Sequence, residues 1–405
     1  MTKDVVVVTG ADAVAPNGVG LETYWAAALK GVSGIQPISR FDASGYPVRL
    51  AAEIPPSDAE SAFPRKLLPQ TDRLTQLAMM CADSALAAAA VDSADLPEFG
   101  AGVAVSSASG GLEFGQRQLQ QLWGKGWESV SPYMSFAWYY AVNTGQISIR
   151  NALRGPSGVV VSEQAGGLDS IAFARRRVRR GTPVMLTGGF DSVLCPYGVS
   201  TVSVATGVSH GTDPERAYLP FHSSSSGFVP GEGGAVMVLE SRTSAAERGA
   251  PVLGSVAGHA AAFDPDPSGS GGDGLARAAR GALADAGLPP EAVDVVFADA
   301  AGSPGLDRAE ADALTGLFGA GGVPVSTPKA LVGRLMSGGS ALDAVTALLS
   351  LRDGLLPPVP GVAPEEVDPR VDLVVGEPRG GEFRTALVLA RGHGGFASAM
   401  VLTAP

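Results

Sequence analysis

Short apolar runs alternate along the chain with longer amphipathic stretches. The run VVVVTG at residues 5–10 ends in glycine, and similar runs recur at 100–107, 158–163, 183–189 and 233–240. A strand that is covered on both faces is apolar almost without interruption. These runs therefore predict buried strands.

The stretch from residue 71 to residue 91 is typical of an amphipathic helix. Its apolar residues recur every three or four positions on one side, at Leu74, Leu77, Ala78, Cys81 and Leu86. Thr71 or Asp72 is the predicted start, because either side chain can accept a hydrogen bond from a free N–H group of the first turn. We therefore expect Cys81 to pack in a core.

The second half of the chain repeats this style. Apolar runs at 251–263, 292–300, 385–392 and 397–404 predict further strands, and residues 272–287 predict a helix. Alternation of buried strands and helices is typical of layered α/β proteins.

An internal repeat links the two halves. LDSIA at residues 168–172 is matched by LDAVT at 342–346, and a Gly-Gly pair precedes each copy. Self-similarity of this kind predicts two stacked halves built on one α/β plan. We place them at residues 1–245 and 246–405, with the boundary near the charged segment SRTSAAERGAP.

The composition narrows the class of protein. Apolar residues make up 45% and charged residues 17%, which argues against a disordered or fibrous chain. The net charge of −11 argues against nucleic acid and an acidic membrane surface as partners. The two cysteines and four scattered histidines fit neither a disulfide framework nor a metal site, and no segment has the ~20 apolar residues of a membrane span. We expect a cytoplasmic protein that binds no metal.

One motif resembles the nucleophile elbow of hydrolases. Gly207, Ser209 and Gly211 fit G-x-S-x-G, which requires a strand before it and a helix after it. A charged segment that contains proline follows instead, so an ordinary turn is favoured.

A second motif resembles a dinucleotide-binding loop. Gly269, Gly271 and Gly274 spell G-x-G-x-x-G, but an acidic loop precedes them where a strand would be needed. The favoured interpretation is a loop in which Asp273 caps the next helix.

A dense basic cluster, ARRRVRRG, begins at residue 174. Arg175 and Arg179 share a helix face, as do Arg176 and Arg180. The simpler interpretation is a solvated helix end, where cations interact favourably with the helix dipole. Docking of an acidic carrier protein is the alternative.

Several segments together resemble the β-ketoacyl synthase family. They are PFHSSSSGFVPGEGGAVMVLE, SEQAGGLDS, PVMLTGGFDS, STPKALVGRLMSGGSALD and ARGHGGFASAMVL, and they span nearly the whole chain. The glycine-rich motif of that family has the same residues at Phe221, Gly227, Phe228, Gly231, Glu232 and Gly233. The resemblance implies an α/β thiolase fold, with two pseudo-symmetric halves in an α-β-α-β-α layered arrangement.

The catalytic residues of that family are missing here. The family uses a cysteine at a helix N-terminus as nucleophile, and two histidines that stabilise the charge formed when malonyl loses carbon dioxide. Gln164 stands at the cysteine position, and Arg334 stands at the second histidine position, with Lys329 retained five residues before it. Ala301 stands at the first histidine position, or Asp299 if no gap is allowed.

The loss of all three residues is similar to the chain length factors of type II aromatic polyketide synthases. The resemblance implies a non-catalytic subunit that forms a heterodimer with a ketosynthase alpha subunit. The phosphopantetheine arm of acyl carrier protein would reach that partner, and no cofactor would bind this chain directly. Segments 143–151 and 155–163 are expected to be strands at the seam between the subunits.

The same resemblance implies that this chain lines part of a tunnel for the growing poly-β-ketone intermediate. The matching wall positions are Leu112, Gly115, Leu119 and Phe136. The first three fit one helical stripe, which by itself would more often be core packing. Small residues at these positions would leave a comparatively long cavity.

Two alternatives remain open. Gln164 could assist decarboxylation of malonyl-carrier protein during priming, or the chain could be a purely stabilising scaffold. In the structural interpretation of Gln164, its amide fills the vacated pocket and bonds to groups at the helix start.

Overall fold

The computed structural model describes residues 4–56, 63–205, 207–265 and 273–405. Its strands are β1 (Val6–Ala15), β2 (Gly18–Val19), β3 (Ile35–Pro37), β4 (Leu50–Ala52), β5 (Ala101–Ser106), β6 (Ser157–Gly158), β7 (Val184–Asp191), β8 (Gly233–Ser241), β9 (Gly254–Phe263), β10 (Val295–Phe297), β11 (Pro324–Ser326), β12 (Leu355–Leu356), β13 (Asp372–Leu373), β14 (Arg379–Gly380), β15 (Thr385–Arg391) and β16 (Phe396–Thr403).

The helices are α1 (Leu21–Leu29), α2 (Arg73–Ala88), α3 (Leu112–Lys125), α4 (Val142–Arg150), α5 (Gly166–Val178), α6 (Pro196–Ser203), α7 (Arg242–Glu247), α8 (Gly274–Ala286), α9 (Pro304–Phe318), α10 (Lys329–Val332) and α11 (Ser337–Asp353). Short 3-10 turns lie between them, among them Glu163–Ala165. None of the helices in the described ranges is long and apolar enough to cross a membrane.

The large sheet consists of two leaves with the same strand order. One leaf runs β1-β8-β7-β5-β6 and the other β9-β16-β15-β10-β11, so each has the order first, fifth, fourth, second, third. In both leaves the first two pairs of neighbouring strands are antiparallel and the last two pairs are parallel. A short antiparallel pairing of β1 with β9 joins the leaves.

Helices form three layers around the two leaves. Helices α5 and α11 contact each other and strands of both leaves, and α11 is buried from Ser337 to Leu351. On the outside, α2 packs on β1 and β8, and α8 packs on β9 and β16. The predicted α/β thiolase fold with its α-β-α-β-α layers is confirmed, and the LDSIA and LDAVT copies lie in the two central helices.

Glycines allow α11 to begin directly against the sheet. A Cβ atom placed on Gly338 would lie 2.0 Å from the Gly233 carbonyl oxygen, and one on Gly189 would lie 2.2 Å from the Ser337 carbonyl oxygen. Because backbone touches backbone here, no side chain fits at either glycine. This contact fixes the start of α11 beside the start of α5.

Most of the predicted helices and strands are present. Of the two predicted starts for α2, Asp72 rather than Thr71 is the capping residue. Asp72 accepts a hydrogen bond from the Leu74 N–H group at 2.9 Å, and Cys81 is fully buried, as expected. The strand predicted over residues 143–151 is wrong, because that segment lies in α4, with Ile147 buried against α2. In the neighbouring segment 155–163, only Ser157–Gly158 is a strand, so the buried strand predicted over residues 158–163 is also wrong, and residues 159–161 are partly or fully exposed.

The two glycine motifs behave as loops where the structure describes them. No helix follows Gly211, and the Ser209 hydroxyl accepts a hydrogen bond from the Gly211 N–H group within its own turn. Gly269 and Gly271 lie outside the described residues. Asp273 precedes α8 but does not cap it with its side chain, because its carboxylate bonds instead to Arg277 at 2.6 Å.

The basic cluster is only partly solvated. Arg176 and Arg180 are exposed at the C-terminal end of α5. Arg175 is buried and pairs with Asp285 of α8, so it links a central helix to an outer one.

Candidate functional site

Gln164 lies in the 3-10 turn that leads into α5. Its side chain has no exposed surface, and its Nε2 atom would lie 2.6 Å from a Cβ placed on Gly339 of α11. Neither amide atom has a hydrogen-bond partner among the described residues. The amide therefore fills the position expected for the family nucleophile. The hydrogen bonds that we expected it to make with groups at the helix start are absent among the described residues.

Arg334 joins the groups around Gln164. Its guanidinium group lies 3.3 Å from the Glu163 carboxylate and 3.6 Å from that of Asp299, and it donates to the Arg391 carbonyl oxygen at 2.5 Å. It also lies over the Phe228 ring, 5.5 Å from the centroid. Burial opposes the charged form of Arg334, but Glu163 and Asp299 outweigh it and raise its pKa above the ordinary value. This group stays charged and cannot act as a proton carrier.

Asp299, rather than Ala301, makes the polar contacts at the first histidine position. Its carboxylate accepts a hydrogen bond from the Arg391 N–H group at 2.8 Å, whereas Ala301 contributes only a buried methyl group. The backbone N–H groups of Asp299 and Ala300 both donate to the Glu310 carboxylate at 2.8 Å. Burial, together with the Asp299 charge, raises the pKa of Glu310 to about 7.

Lys329 has a structural partner on the central helix. Its ammonium group lies 2.7 Å from the Asp343 carboxylate and donates to the Ala298 carbonyl oxygen, and both side chains are buried. Burial raises the pKa of Asp343, and the Lys329 charge opposes that rise. The pair ties α11 to the loop that carries Asp299.

The structure therefore gathers the predicted positions into one pocket without a nucleophile. Arg334 pairs with Asp299 and with Glu163, the residue before Gln164, and Lys329 adjoins them through the Ala298 carbonyl oxygen. Cys81 and Cys195 lie elsewhere, and burial raises the pKa of both thiols. No group of three or more His, Cys, Asp or Glu side chains within the described ranges could hold a metal ion.

The glycine-rich motif forms the backbone beside this pocket. Gly227 and Gly233 have φ of +127° and +128°, which side-chain-bearing residues rarely adopt. A Cβ on Gly231 would lie 2.4 Å from the Val332 carbonyl oxygen, so the motif touches the segment that leads to Arg334. Phe228 supplies the ring beneath that arginine.

Two acidic side chains hold the motif in place. Glu232 is buried and accepts hydrogen bonds from Arg40 at 2.8 Å and from Arg73 at 2.6 Å. At the other end of the motif, the Phe221 N–H group donates to Asp307 at 2.9 Å.

The four predicted wall positions lie on or beside α3. Leu112 is half-buried against Gly198, Gly115 is buried, and Phe136 is half-buried with its ring edge-on to Tyr133. Leu119 is 41% exposed, so the stripe continues from the interior to the surface and is not simply core packing. A Cβ on Gly115 would meet only the Trp138 Cβ, at 3.4 Å.

An exposed aromatic surface surrounds the outer end of this stripe, and the sequence analysis missed it. Trp123 and Trp127 are 83% and 76% exposed, and the surface also contains Tyr133, Trp138, Tyr139 and Tyr140. Ring contacts link Trp138 to Tyr139 and Tyr139 to Tyr140. Exposed aromatic clusters of this size are typical of protein–protein interfaces. The segments WGKGW and AWYY were the available sign of it.

Comparison with known proteins agrees with the fold. Residues 3–245 match the N-terminal domain and residues 250–363 the C-terminal domain of beta-ketoacyl synthase. The chain therefore belongs to the β-ketoacyl synthase family.

Within this family the chain is similar to ketosynthase beta subunits of polyketide synthases. It is 54% identical over 399 residues to the tetracenomycin polyketide synthase ketoacyl synthase beta subunit of Streptomyces glaucescens, covering 98% of each chain. It is 52% identical over 398 residues to the actinorhodin polyketide putative beta-ketoacyl synthase 2 of Streptomyces coelicolor, again covering 98% of each. Among solved structures, the ishigamide ketosynthase/chain length factor matches with a TM-score of 0.89 and 27% identity over 100% of both chains.

Proposed function

We propose that this chain is the non-catalytic, chain-length-determining subunit of a heterodimeric type II polyketide ketosynthase. It pairs with a ketosynthase alpha subunit and forms part of the tunnel that holds the growing poly-β-ketone. The alpha subunit supplies the nucleophilic cysteine and receives the phosphopantetheine arm of acyl carrier protein.

The observation that carries this proposal is the buried Gln164 beside a permanently charged Arg334. An amide cannot attack a thioester, and a guanidinium group cannot take up and release protons near neutral pH. The Gln164 side chain fills the space at the start of α5, and Glu163 neutralises the charge of Arg334.

The aromatic surface supports the pairing with an alpha subunit. Obligate interfaces usually bury more than ~2,000 Å² and are rich in Trp and Tyr. Within the described ranges, the edge strand β6 pairs on one side only, with β5, so we expect its other side to be open to a strand of a partner.

Length control rests on Leu112, Gly115, Leu119 and Phe136. Because the space beside Gly115 is bounded only by Trp138 at contact distance, a large side chain there would extend toward the aromatic surface. A bulky residue would then stop chain growth earlier, and the set Leu112, Gly115 and Leu119, which contains no aromatic side chain, favours a comparatively long product.

The rival role of Gln164 as a decarboxylase has less support. Decarboxylation depends mainly on stabilising the developing negative charge, and no imidazole is hydrogen-bonded to the Gln164 amide among the described residues. Its side chain is also inaccessible to solvent.

The test is reconstitution of the heterodimer with acyl carrier protein and malonyl donor. Gly115→Phe should shorten the product by at least one two-carbon unit, measured by mass spectrometry. Gly316→Phe is the control, because Gly316 lies on α9, outside the aromatic surface, also has no neighbour within 4 Å and should leave the product unchanged. Unchanged length in both variants favours the scaffold, and carbon dioxide release from malonyl-carrier protein by this chain alone favours the decarboxylase.

We also infer that the chain consists of halves at residues 1–245 and 246–405, which the shared strand order supports. A cytoplasmic location belongs to the same proposal, since both cysteines are unpaired and buried.

A further inference from the structure

The loop at residues 391–395, between β15 and β16, is tied to the Gln164 pocket by three hydrogen bonds. The Arg391 N–H group donates to Asp299 at 2.8 Å, and the His393 N–H group donates to Glu163 at 3.0 Å. The Arg391 carbonyl oxygen accepts from Arg334 at 2.5 Å. Side chains from three distant segments thus hold the backbone of a five-residue loop.

The glycines of the loop let it lie flat on the neighbouring backbone. A Cβ on Gly392 would lie 2.2 Å from the carbonyl oxygen of Ser162, two residues before Gln164. A Cβ on Gly395 would lie 2.1 Å from the Asp264 carbonyl oxygen. The turn that contains Gln164 also packs against both strands that flank the loop.

Arg334 is the common member of this arrangement. Its planar group has several donors in a fixed fork, so it can bond to Glu163 and to the Arg391 carbonyl at once. It is 8% exposed, and its ion pair with Glu163 is therefore poorly screened by solvent. Glu163 in turn bonds both to this arginine and to the loop.

We propose that Arg334 and Glu163 form a clamp that holds the 391–395 loop over Gln164 and closes this pocket to acyl thioesters. The heterodimer is thereby left with one site that can accept a growing chain. The clamp holds whether or not this chain sets product length, and the Gly115 assay does not involve it, so the two proposals can fail separately.

A thiol at the pocket reports whether it is closed. Gln164→Cys in the full heterodimer is treated with a bromoacetyl derivative of pantetheine, whose carbon forms a bond to the thiolate sulfur as bromide leaves. Peptide mass spectrometry measures the labelling rate at residue 164 separately from the partner's cysteine. With the clamp intact, we expect a rate close to that of the fully buried Cys81.

Adding Arg334→Gln should accelerate labelling of Cys at position 164 at least tenfold. The direction separates access from electrostatics: loss of a neighbouring cation raises a thiol pKa and by itself slows the reaction. Glu163→Gln keeps an acceptor for the His393 N–H group but removes the ion pair, so it should give a smaller acceleration.

The control is Arg248→Gln, which breaks another partly buried ion pair, with Glu240, without touching the loop. It should leave labelling at position 164 unchanged, and Cys81 labelling must stay slow in every variant. Fast labelling with the clamp intact overturns the proposal, as does equal acceleration by Arg248→Gln.

Hydrogen exchange of the His393 amide in an Arg334→Lys variant, which keeps the charge but not the fork, is the second readout. Exchange there as slow as in the parent overturns the proposal too.

Discussion

The buried ion pair between Lys329 and Asp343 permits a quantitative test of what the family lysine does in this chain. The two groups lie 2.7 Å apart and are 1% and 2% exposed. In Lys329→Met the Asp343 carboxylate stays buried without its partner, a change that costs ~3–5 kcal/mol. We expect the free energy of unfolding at pH 7 to fall by that amount.

The stability lost in Lys329→Met should depend on whether Asp343 is still present and on the pH. The double variant Lys329→Met/Asp343→Leu removes both charges, and we expect it to lie within about 1–2 kcal/mol of the parent protein. In Lys329→Met alone, burial keeps the pKa of Asp343 above its unfolded value of 3.8, because the opposing lysine is gone. A carboxyl group whose pKa is raised in the folded state destabilises the folded protein at pH values above that pKa. The loss of unfolding free energy in Lys329→Met should therefore shrink as the pH falls from 8 to 5.

Pulse proteolysis of the heterodimer across a urea series measures the unfolding of this chain separately from its partner. Arg352→Met is the control, since its pair with Glu22 is exposed and should contribute less than about 1 kcal/mol. The reasoning is refuted if Lys329→Met costs no more than Arg352→Met, or if the double variant is as unstable as the single one.

Three further predictions concern stability and assembly. Because the Glu310 pKa of about 7 lies above its unfolded value of 4.5, its favourable contribution is complete at acidic pH and is lost as the pH rises through 7. Glu310→Gln should therefore flatten the dependence of Tm on pH between 5 and 8, and an equal slope in both proteins would contradict this. Gly338→Ala should lower the stability in thermal unfolding by ~1–3 kcal/mol because of the Gly233 contact. Gly316→Ala, which has open space around it, should instead raise the stability by up to ~1 kcal/mol. The opposite order of the two variants would be inconsistent with the packing. Trp138→Ser should weaken the heterodimer at least tenfold by native mass spectrometry titration, and an unchanged Kd would exclude the aromatic surface from the interface.

Local patterns in the sequence predicted the fold well. Uninterrupted apolar runs mark strands covered on both faces, and Asp72 marks a helix start that depends on only two residues. The segment 143–151 was misassigned because the strand was expected only from the resemblance to the family's subunit seam, whereas in the structure Ile149 is exposed and Ile147 packs on α2.

The site could be predicted only in part. Motif positions place Gln164, Arg334 and Lys329, but the contacts that define the pocket join residues far apart in sequence, such as Glu163 with Arg334 and with His393. Choosing Asp299 over Ala301 also required the structure, since only the fold brings residue 391 beside it. The exposure of Leu119 follows from the position of α3 in the fold, which its helical stripe does not specify.

Glu163, Ala300 and Met336 all have φ near +50° and flank the pocket. Each such conformation costs ~1–3 kcal/mol, and here it is held by packed backbone and by the Glu310 carboxylate, not by any reacting group. Because the strained backbone at Ala300 is held by the Glu310 carboxylate, and not by the side chains at positions 164 and 301, the chemistry at those two positions can change without rebuilding this part of the frame.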